Sequence, residues 1–424
     1  MKRLANGLPK HHVTPGGSVR SISPALHHGQ EPQYRQHAES IRHCNRYASS
    51  VSKTRPRTAL FFPGQGVQRI GMITPWLEAF PTTVRPILEE IDSILKYPLT
   101  RIIAEGSNSE LTATENAQPA IMATSVMILR VLEREFGFDT KGRVDITLGH
   151  SLGEYAALVA GGYLEYEDAL RMVRRRAEVM AECTRRASSE EGGEYGMIAL
   201  VCEADHLSDL IEAIYDFLGS SSMGSKQDSA EEVPPIQQVQ IANVNSKNQI
   251  VLSGSIERIQ TLLTHLRSFA GHDPRAVRLK SDSPFHSPMM KPAADVMRYL
   301  LSQPPLKKGT GDIVTFPGTM PCIANVSARP FKSREDLKDL LARQCIETVR
   351  WWESIRYLDQ EEQVRRWIGI GPGKVGRNLV GKEVGMRGTD SVKGGGVWAI
   401  CDPRDVEVVL KALDKTEEIA EDND

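Results

Sequence analysis

Gly149-His-Ser-Leu-Gly153 sets a serine between two glycines at the G-x-S-x-G spacing of a nucleophile elbow. The chemistry this permits is acyl transfer through a serine ester. A sharp turn lifts the Ser151 hydroxyl clear of the backbone, and small flanking residues let a strand and a helix approach each other. At the helix start the Leu152 N–H points outward, where it can stabilise an oxyanion. A serine hydroxyl near neutral pH needs a base. Six of the eleven histidines lie in residues 1–57, which leaves His150, His206, His265, His272 and His286. His206 and His265 fall on solvent-facing helical positions, and His272 sits in a polar Gly-His-Asp-Pro turn. His150 adjoins the serine, with its side chain expected to point away from the hydroxyl. His286, in Ser283-Pro-Phe-His-Ser-Pro-Met-Met290, is the base favoured by position; a histidine satisfied in the core is the competing reading.

These residues need a scaffold. Thr58-Ala-Leu-Phe-Phe62 reads as a buried strand stopped by Pro63-Gly-Gln-Gly66. Val144-Asp-Ile-Thr-Leu148 reads as a second strand leading into the elbow. Residues 154–161 and 166–183 then read as helices with apolar residues at three- and four-residue spacing. Strand, turn and helix make the α/β unit whose reactive loops sit at strand C-termini. From Gly196 the period changes to strand, helix, hairpin, helix and strand, the βαββαβ order of a ferredoxin-like unit. The expected fold is α/β. An α/β-hydrolase-like large domain with a short parallel sheet spans 58–195 and 281–414, and a ferredoxin-like small domain spans 196–280. Residues 219–235, 304–321 and 387–396 read as mobile loops, and 415–424 as a frayed acidic tail.

Composition narrows the class. With 40% hydrophobic residues the chain has ample material for a core. No apolar run reaches membrane-spanning length. A net charge of −2 argues against a dedicated nucleic-acid binder. The six cysteines, Cys44, Cys183, Cys202, Cys322, Cys345 and Cys401, are scattered without a C-x-x-C pair, so they read as free thiols. Gly64-Gln-Gly66 and Gly369-Ile-Gly-Pro-Gly-Lys374 match neither the dinucleotide nor the P-loop pattern, and no metal motif appears, so no bound cofactor is assigned. Met289-Met290 and Trp351-Trp352 read as core or pocket wall.

Taken together, Phe62-Pro-Gly-Gln-Gly66, Gly149-His-Ser-Leu-Gly-Glu-Tyr155, Arg176, Phe285-His286, Met290-Lys-Pro-Ala-Ala-Asp295, Arg343-Gln344 and Gly371-Pro-Gly-Lys374 resemble the malonyl-CoA:acyl carrier protein transacylases in order and approximate spacing, over about residues 58–385. The resemblance implies Ser151 as the nucleophile that carries a malonyl ester and His286 as its base. It implies a backbone carbonyl in the Gln344 region to orient the imidazole in place of an Asp. The backbone N–H of Gln65 would join that of Leu152 in the oxyanion hole. Arg176 would clamp the substrate carboxylate, a role suited to a guanidinium fork; without the resemblance, Arg174-Arg175-Arg176 reads as a surface run. Phe285 would crowd a 2-methyl group and so favour malonyl over methylmalonyl. The implied partners are malonyl-CoA as substrate and acyl carrier protein as acceptor. The alternatives are a serine hydrolase or thioesterase using the same Ser–His pair, or an acyltransferase of a polyketide pathway. A hydrolase normally carries its triad histidine near the C-terminus, whereas well over a hundred residues follow His286.

The small net charge hides a split. Residues 1–57 carry +8, with ten Lys/Arg and only Glu31 and Glu39 as acids, and the remainder carries −10. A basic, Ser-rich, acid-poor leader without an apolar stretch has the composition of an organelle import segment. With the resemblance, it points to a mitochondrial matrix enzyme of fatty-acid synthesis. An acidic body meeting an acidic carrier would need a local basic patch. Arg174, Arg175, Arg185, Arg186, Lys374, Arg377 and Lys382 are candidates, although ordinary solvated faces are the preferred reading. No pattern fixes the oligomeric state, and a monomer is the default expectation.

Overall fold

The computed structural model describes residues 55–219, 234–385 and 395–421, with side chains as far as Glu417. All of these lie in one compact unit. The leader up to residue 54, most of the 219–235 and 387–396 loops, and residues 422–424 fall outside the described residues.

Five short strands form the central sheet: β1 (Thr58–Phe62), β2 (Ile146–Gly149), β7 (Cys322–Ile323), β8 (Arg366–Ile370) and β9 (Gly396–Ile400), after the intervening β3 (Tyr195–Val201), β4 (Val239–Ser246), β5 (Gln249–Ser255) and β6 (Arg275–Arg278). The central order is β7-β2-β1-β8-β9, parallel throughout. Every residue of β1, β2 and β8 is buried, which is why β1 reads as a continuous apolar run instead of an alternating one. Side chains still alternate between faces. Leu60 and Phe62 join the core containing the long helices Thr114–Phe136 and Tyr166–Glu190, while Ala59 and Phe61 join a second core with Trp351, Trp367 and Val380. Because β1 pairs with β2 on one side and β8 on the other, the loops leaving β1 and β2 open into a crevice at the strand C-termini.

Strands β3 to β6 form a separate antiparallel sheet in the order β4-β5-β3-β6, the ladder of a βαββαβ unit. Ile198, Leu200 and Leu252 pack under the helices Leu207–Leu218 and Ile256–Ser268. Met197, Ala199 and Val251, one residue out of phase, line a cleft that also contains Ser151 and His286. Each side of this sheet is therefore spoken for, by two helices and by the site.

Several expectations change. The hairpin, for which the residues Asn245-Ser-Lys-Asn248 read as the turn, is tighter than that, because Ser246 already pairs with Gln249. Residues 304–321 are not a mobile loop. Ile313, Val314 and Met320 are buried, and Thr315 and Thr319 donate backbone N–H groups to Tyr163 and Gly161. Gly396 opens β9 and does not close a loop. The tail continues the helix Pro403–Glu421, and Glu417 holds the buried Arg366 at 2.9 Å. Arg55 and Arg57, assigned by composition to the leader, are tied to Asp145 and Glu362 of the body. Composition sees charge but not the buried partner that retains it.

Candidate active site

The elbow forms as its spacing requires. β2 delivers Gly149, Ser151 takes φ +52°, and the helix Gly153–Ala160 begins at once. Both glycines are obligatory. A Cβ on Gly149 would lie 2.0 Å from the Gly153 carbonyl carbon, and one on Gly153 would lie 2.6 Å from the Phe62 and Pro63 oxygens. These are backbone atoms that cannot move aside. Gly149→Ala is expected to cost about 3 kcal/mol or more of stability, the scale of a backbone clash at a strained site. Urea unfolding checks this, and an unchanged midpoint would refute it.

Asn325, just beyond β7, straddles the turn. Its Nδ2 donates to Gly149 O at 2.7 Å, and its Oδ1 accepts from Ser151 N–H at 2.7 Å. Leu152 N–H and Gln65 N–H, the two groups expected to form the oxyanion hole, donate to no acceptor among the described residues. Leu152 is the first residue before the helix, where backbone N–H groups lack intrahelical partners. The Gln65 side chain donates to Thr114 Oγ1 and accepts from Gln118 Nε2, which fixes its loop beside the elbow. Thr114 in turn is held by Asp282, so the oxyanion loop is tied to the segment that carries His286.

His286 also takes a positive φ, +57°, and is 1% exposed. Its Nε2 lies 2.8 Å from Ser151 Oγ, and its Nδ1 lies 2.7 Å from the backbone oxygen of Gln344. A carbonyl can only accept, so Nδ1 bears the hydrogen and Nε2 offers a lone pair to the serine. Burial pushes the imidazole down to about 3, helped by the Arg176 charge and opposed by the Gln344 carbonyl. The base is therefore neutral across the physiological range.

Arg176 is not a surface residue: it is 0% exposed. Its Nη1 donates to Gln118 Oε1 at 2.6 Å and its Nη2 to Gln344 Oε1 at 2.9 Å, with Nη2 3.4 Å from Ser151 Oγ. Ala169, Met172, Val173, Ala177 and Met180 are buried on the same helix at three- and four-residue spacing. Arg176 belongs to that stripe, a signal that the sequence carried. Its neighbours Arg174, Arg175, Arg185 and Arg186 pair with Glu178, Glu115 and Glu190.

Phe285 is buried and lines the cleft, whose volume is about 440 Å³. Trp351 lines it too and meets the His150 ring edge-on at 5.3 Å, while Met290 is fully buried in the core. His150 Nε2 lies 2.9 Å from Asn245 Oδ1 on β4, joining the elbow to the small sheet; burial lowers its pKa. His206 is exposed, and His265 stacks between Phe217 and Phe269, away from the site. Glu154, Gln118, Asn325 and the side chain of Gln344 were not anticipated. Only Glu154 had a sequence signal, its place directly after the elbow. Burial pushes the Glu154 carboxyl up to about 8, against the pull of Asn325 N–H, the Gln344 amide and Arg176. Cys183, Cys202, Cys322, Cys345 and Cys401 are free thiols, and no group of metal-ligating side chains occurs among the described residues.

A serine on an elbow, a neutral imidazole at hydrogen-bond distance and two N–H groups without an acceptor among the described residues are the equipment of serine-ester acyl chemistry, and residues 60–200 match the family model described as acyl transferase domain. A malonyl CoA-acyl carrier protein transacylase from Bacillus subtilis (strain 168) is 36% identical over 357 residues, covering 84% of this chain and 97% of the relative. The namesake from Escherichia coli (strain K12) is 29% identical over 318 residues, 75% and 89% of the two chains. The crystal structure of an acyl-carrier-protein-S-malonyltransferase from Bartonella henselae matches with a TM-score of 0.67 at 33% identity, covering 84% of this chain and 99% of that one. A malonyl-transacylase in complex with its type II PKS acyl-carrier protein matches with a TM-score of 0.67 at 28% identity, with the same coverage. The chain belongs to the malonyl CoA-acyl carrier protein transacylase family.

Proposed function

We propose that the protein moves a malonyl group from malonyl-CoA to the phosphopantetheine thiol of acyl carrier protein. The observation that carries this is the Arg176 guanidinium, buried and 3.4 Å from the nucleophile's oxygen. A buried cation there favours an acyl group that ends in a carboxylate and disfavours acetyl, which would leave it unpaired. His286 Nε2 takes the Ser151 proton as Oγ attacks the thioester carbonyl carbon, and the oxyanion rests on the Leu152 and Gln65 N–H groups. Collapse breaks the C–S bond, and the CoA thiolate takes the proton from His286. The carrier thiol then gives its proton to His286 and attacks the ester, and Ser151 leaves as the alcohol. The test is intact-mass analysis with malonyl-CoA alone. Rapid stoichiometric loading followed by a stall supports transfer to an absent acceptor; steady release of free malonate would mean a hydrolase.

The depressed His286 sets a pH signature. An imidazole at its ordinary value would lose about tenfold in its neutral form on going from about pH 7.5 to about pH 5.5. Here the neutral form persists, since protonation waits until about pH 3. The kcat/KM for malonyl loading is expected to change by less than about twofold over that interval. A tenfold fall with a midpoint near 6.5 would contradict it.

The basic leader supports a mitochondrial matrix location and a role in fatty-acid synthesis. Fusion of residues 1–57 to a fluorescent protein is expected to direct it to mitochondria, and a diffuse cytosolic signal would refute the address.

A further inference from the structure

Gln344 touches the base, the buried guanidinium and the main chain of the nucleophile. Its main-chain oxygen holds His286 Nδ1 at 2.7 Å, and its side-chain oxygen accepts from Arg176 Nη2 at 2.9 Å. Its amide nitrogen donates to Ser151 O at 2.7 Å and to Glu154 Oε2 at 2.8 Å. The amide has two possible orientations. The reverse one would set an NH2 group against the guanidinium, donor facing donor, and an oxygen against the carboxyl. Glu154 Oε2, together with Ser151 O, selects the productive orientation by accepting from the Gln344 NH2 group. Glu154 is 1% exposed, and its other oxygen accepts from Asn325 N–H at 3.1 Å, on the residue that clamps the elbow. Two N–H donors from two distant segments thus converge on one buried carboxyl group that has no place in the acyl-transfer chemistry.

We propose that Glu154 is a positioning residue that orients the Gln344 amide, and through it the Arg176 clamp, so that selection of a carboxylate-bearing acyl group depends on a side chain that never meets the substrate. The inference rests on the malonyl-transfer reading. Glu154→Gln keeps the shape but offers only one acceptor oxygen, so either the Gln344 amide or Asn325 N–H must face an NH2 group. Glu154→Asp keeps both acceptors and withdraws them by one methylene.

The experiment measures loading of Ser151 by malonyl-CoA and by acetyl-CoA separately, for wild type, Glu154→Gln, Glu154→Asp, Arg176→Ala and the double variant Glu154→Gln/Arg176→Ala, with thermal melting alongside. Wild type must first prefer malonyl; if it does not, the functional reading fails before Glu154 is at issue. Given that preference, Glu154→Gln is expected to lower the malonyl-to-acetyl ratio about tenfold. Glu154→Asp should lie between it and wild type. In the Arg176→Ala background the same substitution should leave the ratio unchanged, since residues acting through one another are not additive. If Glu154→Gln does not fold, the ratio of Glu154→Asp against wild type decides. A lowered melting temperature with an unchanged ratio in the variants that fold, or an equal fall with and without Arg176, would overturn the proposal.

Discussion

Ser151→Ala is expected to abolish the covalent malonyl adduct and to reduce malonyl transfer to carrier protein by about 10⁴-fold or more, the scale seen when a serine nucleophile is removed. The substitution is clean because alanine retains the Cβ. The positive φ of the elbow is already occupied by a residue with a Cβ, and the Asn325 clamp engages only the Ser151 main-chain N–H. His286 loses its Oγ partner but keeps the Gln344 carbonyl, so its ring stays in place. What disappears is the atom that forms the bond. The residual rate would be direct attack of the carrier thiol on a bound thioester, assisted by the Leu152 and Gln65 N–H groups alone. Intact-mass analysis and a carrier-transfer assay check this. An adduct that still accumulated in the variant would place the nucleophile elsewhere and remove the mechanism built on Ser151.

The parts of this site legible in the sequence are those encoded locally. Thr58–Phe62 was readable because a fully buried parallel strand is a short apolar run and Pro63-Gly64 ends it. The elbow was readable because its strain demands glycine at two fixed offsets. The small sheet was readable because the apolar period changes at Gly196, one residue after the observed start of β3 at Tyr195. What stayed hidden is set by long-range pairing. Asn325 meets the elbow across 174 residues, and Gln118 meets Arg176 across 58. Neither residue type announces a role by its neighbours. Arg176 is the intermediate case. Its charge assigns it to the surface while its helical phase puts it on the buried stripe, and burial prevailed with Nη1 and Nη2 held by Gln118 and Gln344 while the buried Nε has no partner among the described residues. The 304–321 segment failed in the opposite way. Its Pro, Gly and Lys content reads as a mobile loop, yet three buried apolar side chains and the Thr315 and Thr319 N–H bonds to Tyr163 and Gly161 seat it.

Arg176→Ala is expected to lower kcat/KM for malonyl loading by about 10²–10⁴-fold, since removing one partner of a buried charged pair costs about 3–5 kcal/mol. Acetyl loading should fall far less, so that selectivity collapses. Two effects combine. The carboxylate loses its fork, and it must now be buried against the Gln118 and Gln344 amide oxygens, which are acceptors facing an anion. The second effect acts on the base. The Arg176 charge is one of the causes that hold His286 down, so its removal lets the imidazole rise toward its ordinary value. The kcat/KM profile for acetyl loading should accordingly move its acid limb to higher pH in the variant. The sign also bears on the wild type. Burial is the larger cause of the His286 depression, but a malonyl carboxylate paired with Arg176 offsets the part that the guanidinium adds, so the base gains proton affinity when the correct acyl group is bound. Acetyl brings no such charge. Recognition of the carboxylate and activation of the serine are then one electrostatic event, and selectivity should appear in kcat as well as in KM. If Arg176→Ala altered only KM for malonyl-CoA and left the acid limb for acetyl loading unmoved, the guanidinium would be a binding group with no hold on the base.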